Sequence, residues 1–127
     1  MNDELYLEHC HQLLSDFADT LFLRTDGLEA QNIFRQLAAT FQNLANGQGD
    51  LYADGPVLVA RLFTTYPDFA PPFPRELLWF FGGDCLHYMP DEEIAIFQQL
   101  EDLRLQAAAR GETLNLQEAR AKLLKLQ

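Results

Sequence analysis

The sequence predicts an all-α fold, a single compact domain of about six helices packed as an irregular bundle with a proline-rich connector. Three observations lead there. Apolar residues recur at intervals of three and four through nearly every segment, the spacing that lines one face of a helix. No run sustains the alternation of a half-buried strand. Glycine, asparagine and proline fall where the apolar stripes stop. The 127 residues, 48% hydrophobic and 22% charged, have globular rather than disordered composition and suffice for one core. Ten Phe, four Tyr and one Trp supply large rings to fill it.

The first stripe is Tyr6, Cys10, Leu13, Leu14, Phe17 and Leu21, with Glu4, Glu8, Gln12, Ser15 and Asp19 off it or at its edge. Arg24-Thr25-Asp26-Gly27 breaks it. A second stripe runs through Ala30, Ile33, Phe34, Leu37, Phe41 and Leu44 to Asn46-Gly47, a left-handed stop. Residues 1–47 therefore predict a helical hairpin.

Residues 48–74 predict a loop, a helix and a connector. The stretch GQGDLYADGP has loop composition, and its end opens a helix, with Asp54 as the cap and Pro56 in the first turn, where a missing N–H costs nothing. That helix carries Val57, Leu58, Leu62, Phe63 and Tyr66. Pro67, Pro71, Pro72 and Pro74 then predict an extended, rigid surface connector rather than a ligand for a proline-reading domain.

Residues 75–127 predict three more helices. The one carrying Leu77, Leu78, Trp79, Phe80 and Phe81 is apolar nearly all round, so it is expected at the centre as the most enclosed element. Gly82-Gly83 ends it. Pro90 opens a long helix whose first turn is Asp91-Glu92-Glu93, acids that complement the partial positive charge of a helix start. Its stripe is Ile94, Phe97, Leu100 and Leu103 or Ala107, and its stop is Gly111. Asn115 and Glu118 have capping-box spacing ahead of a last stripe of Leu116, Ala119, Leu123 and Leu126.

Nineteen acids against nine bases give a net charge of −10, which argues against direct nucleic acid binding, since that attraction comes from clustered Lys and Arg. Acids concentrate in residues 1–20 and 91–104, bases in 110–127. An acidic surface of this kind suits a protein partner with a basic surface, or a homo-oligomer paired head to tail. Two cysteines, Cys10 and Cys85, are too few for a disulfide framework and read as reduced thiols. With no basic start followed by an apolar run, and no segment long enough to cross a bilayer, the expectation is a cytoplasmic protein without a membrane role.

Chemistry-bearing residues gather in WFFGGDCLHYMPDEE, residues 79–93. Asp84 and His87, three apart, have the spacing by which a carboxylate orients an imidazole, and Cys85 with His11 extends this polar set. Neither Glu8-His9-Cys10-His11 nor Cys85 with His87 has zinc-ligand spacing, so no metal and no cofactor is expected. Tyr88, Met89, Asp91, Glu92 and Glu93, with Glu4 and Glu8, form the candidate interaction surface. The reading is a non-catalytic adaptor, or an inhibitor or immunity-type module. Two alternatives stand beside it: a small metal-binding or hydrolytic enzyme using Asp84 and His87 with His11 or Cys85, and a ligand-binding bundle with an aromatic cavity.

Overall fold

A computed structural model describes residues 3–112 and 116–125. They form six α-helices: α1 (Asp3–Thr25), α2 (Ile33–Ala45), α3 (Leu51–Thr65), α4 (Arg75–Phe81), α5 (Asp91–Ala109) and α6 (Leu116–Lys125), with two short 3₁₀ turns at Pro67–Phe69 and Gly83–Tyr88. No strand occurs among the described residues, so the all-α expectation holds. The chain packs as two units, one of residues 10–88 and one that joins the start of α1, through His9, to the chain from Met89 onward.

In the larger unit, α1 and α2 run antiparallel. The imidazole Nε2 of His11 lies 2.6 Å from the Ala45 carbonyl oxygen, and the Phe17 and Phe41 rings meet edge to face at 5.6 Å. Leu14, Leu21 and Phe41 are fully buried, which is the stripe spacing realised as core; in the third helix the buried position is Val59, while Val57, expected on the stripe, is exposed. The helix α2 starts at Ile33 rather than Ala30, because the Asn32 side chain accepts hydrogen bonds from the Phe34 and Arg35 N–H groups and fixes the first turn there. Its end is a Schellman motif: Gly47 N–H donates to Leu44 O and Gln48 N–H to Asn43 O, with Gly47 at φ +89°, a conformation that favours glycine.

The start of α3 corrects the sequence reading. Asp50, not Asp54, is the cap, its Oδ1 accepting from the Tyr52 and Ala53 N–H groups. Asp54 lies a turn inside and returns the favour, its Oδ2 accepting from Asp50 N–H at 2.8 Å. Two acids spaced by four thus turn apparent loop sequence into helix. Pro56 is therefore the sixth residue of the helix and not in its first turn as expected, so its missing N–H removes the bond that would run to the Tyr52 carbonyl. Gly55 is buried against Phe81, whose ring would stand 2.4 Å from a Cβ placed there.

The proline-rich segment is not an extended surface connector. Pro67–Phe69 forms a 3₁₀ turn, Arg75 donates to Ala70 O, and Phe73 turns inward with 0% of its surface exposed. There it meets Phe17 at 4.7 Å and Phe63 at 5.3 Å, both edge to face. The prolines hold the backbone in shape, and the ring between them supplies the driving force for docking it.

The short helix α4 is less enclosed than its composition suggests. Leu77 and Leu78 are buried, but Trp79, Phe80 and Phe81 are only half-buried. Seven residues are two turns, too few to hide rings on every side, so the rings cover neighbours instead: Phe80 packs on Tyr52 at 5.5 Å and on Phe81 at 5.6 Å. The stop is as expected, with Gly82 and Gly83 at φ +64° and +52°.

In the smaller unit, α5 buries Ile96, Phe97, Leu100, Arg104 and Ala107. Leu103, expected on the stripe, is partly exposed, and Arg104 takes the inner position. Position 104 follows Leu100 by four and precedes Ala107 by three, so it lies on the same helical line. Its guanidinium rests 4.9 Å from the Tyr6 ring centroid and pairs with Glu101, which offsets the cost of enclosing the charge. Gly111, at φ +72°, ends the helix as expected. Arg120 of α6 lies over the Phe97 ring at 5.1 Å. Asn115, the expected cap of α6, is outside the described residues.

Candidate functional site

The polar set at 84–87 is assembled, but in open solvent. Asp84 and His87 stand 3.8 Å apart with side chains 100% and 80% exposed. General base catalysis needs an imidazole held beside a substrate, and water surrounds this pair. Cys85 points the other way and is buried. Desolvation, and after it the neighbouring Asp84 carboxylate, push its thiol up to about 11, far from the thiolate that nucleophilic or metal chemistry uses. His11 is committed elsewhere: with a carbonyl as partner, its Nε2 donates to Ala45 O, satisfying one of the orphan acceptors at the end of α2. Among the described residues no three His, Cys, Asp or Glu side chains converge as metal ligands would.

The aromatic rings of the larger unit pack against one another. Phe17, Phe41, Phe63, Phe73 and Tyr88 form a chain of edge-to-face contacts, with Tyr88 4.6 Å from Phe63. Half-buried Tyr88 and buried Met89 are core residues. Met89, 5% exposed, is therefore withdrawn from the expected surface, because an unbranched thioether fills an interior gap better than it faces water.

The acids expected beside them divide into two patches. Asp91 and Glu92 are exposed at the start of α5, and Glu93 is half-exposed. Glu4 and Glu8, also exposed, flank Tyr6, which sits against Arg104. Positions 91 and 104 lie about 20 Å apart along the helix at 1.5 Å per residue. The two groups are thus not one continuous patch.

What the sequence does not announce is where the arginines go. Arg35 donates to Leu28 O. Arg75 donates to Ala70 O, Pro71 O and Tyr88 O. Arg104 is buried with Glu101, Arg24 lies over Phe69, and Arg110 pairs with Glu112. Arg35, Arg75 and Arg104 thus brace the fold, while the Arg110 pair stands in solvent.

A family model described as PA2817-like matches residues 2–127. The chain belongs to the PA2817-like family. No curated protein and no solved structure matches it. Among the described residues of this PA2817-like chain, no helix is long and apolar enough to cross a membrane.

A cleft of about 330 Å³ also opens between α2 and α3 of the larger unit. From α3 it takes Asp54, Val57, Leu58 and Arg61; Thr40, Asn43 and Leu44 of α2 and Gln48 beyond it complete the wall. The sequence carried a signal for it: positions 54, 57, 58 and 61 fall at i, i+3, i+4 and i+7, a single helical face with an acid at one end, an arginine at the other and apolar residues between. The loop composition of GQGDLYADGP conceals it, because by sequence Asp54 reads as the cap.

Proposed function

We propose that this chain is a non-catalytic protein-interaction module that presents exposed carboxylates to a basic partner. The observation that supports this is the use of the arginines. Arg24, Arg35, Arg75, Arg104 and Arg110 are engaged with rings, backbone carbonyls or adjacent carboxylates of the chain itself. Glu4, Glu8, Asp91 and Glu92 meanwhile face solvent, on a chain of net charge −10. A negative field of this kind steers a cationic surface into contact and repels competitors of like charge. The solvent-exposed setting of Asp84 and His87 and the raised Cys85 thiol favour this reading over the hydrolytic one.

The reading is tested by capturing partners on the immobilised chain at rising ionic strength. A partner recovered at low salt and released in moderate salt is the expected result, since exposed charges are screened beyond a Debye length of about 10 Å at 0.1 M. Recovery unaffected by salt contradicts it.

A further inference from the structure

We infer that the cleft between α2 and α3 is a binding site for a small dipolar molecule, a carboxylate joined by an aliphatic chain to an ammonium group. The inference rests on Arg61. Among the described arginines it alone makes no hydrogen bond, ion pair or ring contact. In a chain that turns its other described arginines to structural use, the one left over lies at the edge of a cleft. A free guanidinium there offers a planar fork of donors matched to a carboxylate.

The rest of the cleft defines what that carboxylate is attached to. Leu44 and Leu58 are buried and Val57 is exposed to the opening, which gives an aliphatic floor. Asp54 lies at the far end of the same face, about 10 Å from Arg61 along the helix at 1.5 Å per residue. One of its oxygens accepts from Asp50 N–H, which holds the carboxylate in place and leaves acceptor capacity for an ammonium group. The side-chain amides of Asn43 and Gln48 make no hydrogen bond among the described residues and stand ready beside the floor. The Gln48 backbone is fixed by the Schellman bond of its N–H to Asn43 O.

Charge decides between a simple anion and a dipolar ligand. A chain of net charge −10 repels a free anion, and Asp54 repels it again inside the cleft. A molecule that is neutral overall avoids the first penalty and turns the second into an attraction. The volume of about 330 Å³ corresponds to a ligand on the order of ten heavy atoms, taking the ~30 Å³ share of one liquid water as the measure.

The test is a titration of the full-length, isotope-labelled chain with ε-aminocaproate, caproate and hexylamine, followed by amide chemical shifts. Saturable shifts confined to residues 40–48 and 54–61 are expected with ε-aminocaproate, with caproate and hexylamine each at least about tenfold weaker, the usual consequence of losing one charge-assisted hydrogen-bonded end. Arg61→Met keeps the aliphatic stem and removes the fork. It should weaken ε-aminocaproate at least about tenfold while leaving the thermal midpoint unchanged, since Arg61 holds nothing in the fold. Absence of saturable shifts in the cleft, equal binding of all three probes, or undiminished binding by Arg61→Met overturns the assignment.

Discussion

Replacing Phe73 by Ala tests the account of how the proline-rich segment is held. The ring is wholly enclosed and makes edge-to-face contacts with Phe17 at 4.7 Å and Phe63 at 5.3 Å. Truncating a buried Phe to Ala costs about 3–5 kcal/mol. Each such ring pair contributes about 0.5–1.5 kcal/mol beyond area burial, which places this site in the upper half of that range, between about 4 and 5 kcal/mol. The segment is also tethered by proline backbone, so its ability to collapse into the vacated space is small. Against a total stability of about 5–15 kcal/mol, the loss removes a large share. Urea unfolding followed by far-UV circular dichroism measures it through the midpoint and slope, and Phe73→Leu, which keeps much of the volume but loses both ring pairs, should cost about 1–3 kcal/mol, less than Phe73→Ala. A loss below about 1.5 kcal/mol for Phe73→Ala refutes the idea that this ring docks the segment.

Three further outcomes are expected. Asp50→Ala should cost about 1 kcal/mol of stability in the same unfolding assay, because it removes the cap acceptor of the Tyr52 and Ala53 N–H groups, whereas Asp50→Asn should cost little. Gly82→Ala should cost about 1–3 kcal/mol, since Gly82 at φ +64°, ψ −155° occupies a region almost reserved for glycine. Cys85, with a thiol pushed up to about 11 from 9.0, keeps its proton in the native chain at pH values where the unfolded chain releases it. The unfolded state then binds fewer protons, so stability is fully present below about pH 9, falls through the interval up to about 11, and loses about 2 to 3 kcal/mol across it. Cys85→Ala should flatten that part of the pH–stability curve, and a native thiol that alkylates rapidly at neutral pH contradicts the assignment.

Helix stripes and glycine stops were legible in the sequence because each depends on a few neighbouring residues. Leu14, Leu21 and Phe41 are core where spacing puts them, and Gly47, Gly82 and Gly111 take positive φ where stripes end. The misreadings are local signals overridden by a partner, distant in sequence at 73 and 104 and one helical turn away at 50. Four prolines spelled a connector, yet the ring at 73 is claimed by Phe17 and Phe63. Gly and Asp around residue 50 spelled a loop, yet two carboxylates close a helix start across one turn. Leu103 fits the stripe by spacing, yet Arg104 takes the inner position, because Tyr6, almost a hundred residues earlier, provides the face on which its guanidinium rests. The candidate site was legible only as composition. That acids outnumber bases is visible in the sequence; that the arginines are spent on backbone carbonyls and rings, leaving Arg61 over, requires knowing which groups they meet.

The claim on which the functional reading depends is that exposed carboxylates carry the interaction, and the affinity of a captured partner as a function of salt measures this most directly. The comparison is between the native chain and a variant with Glu4→Gln, Glu8→Gln, Asp91→Asn and Glu92→Gln, all at exposed positions where amide replacement leaves packing untouched. The account predicts that affinity for the native chain falls steeply with ionic strength and that the variant binds more weakly with a flatter dependence. Equal affinities and equal slopes for the two proteins contradict it.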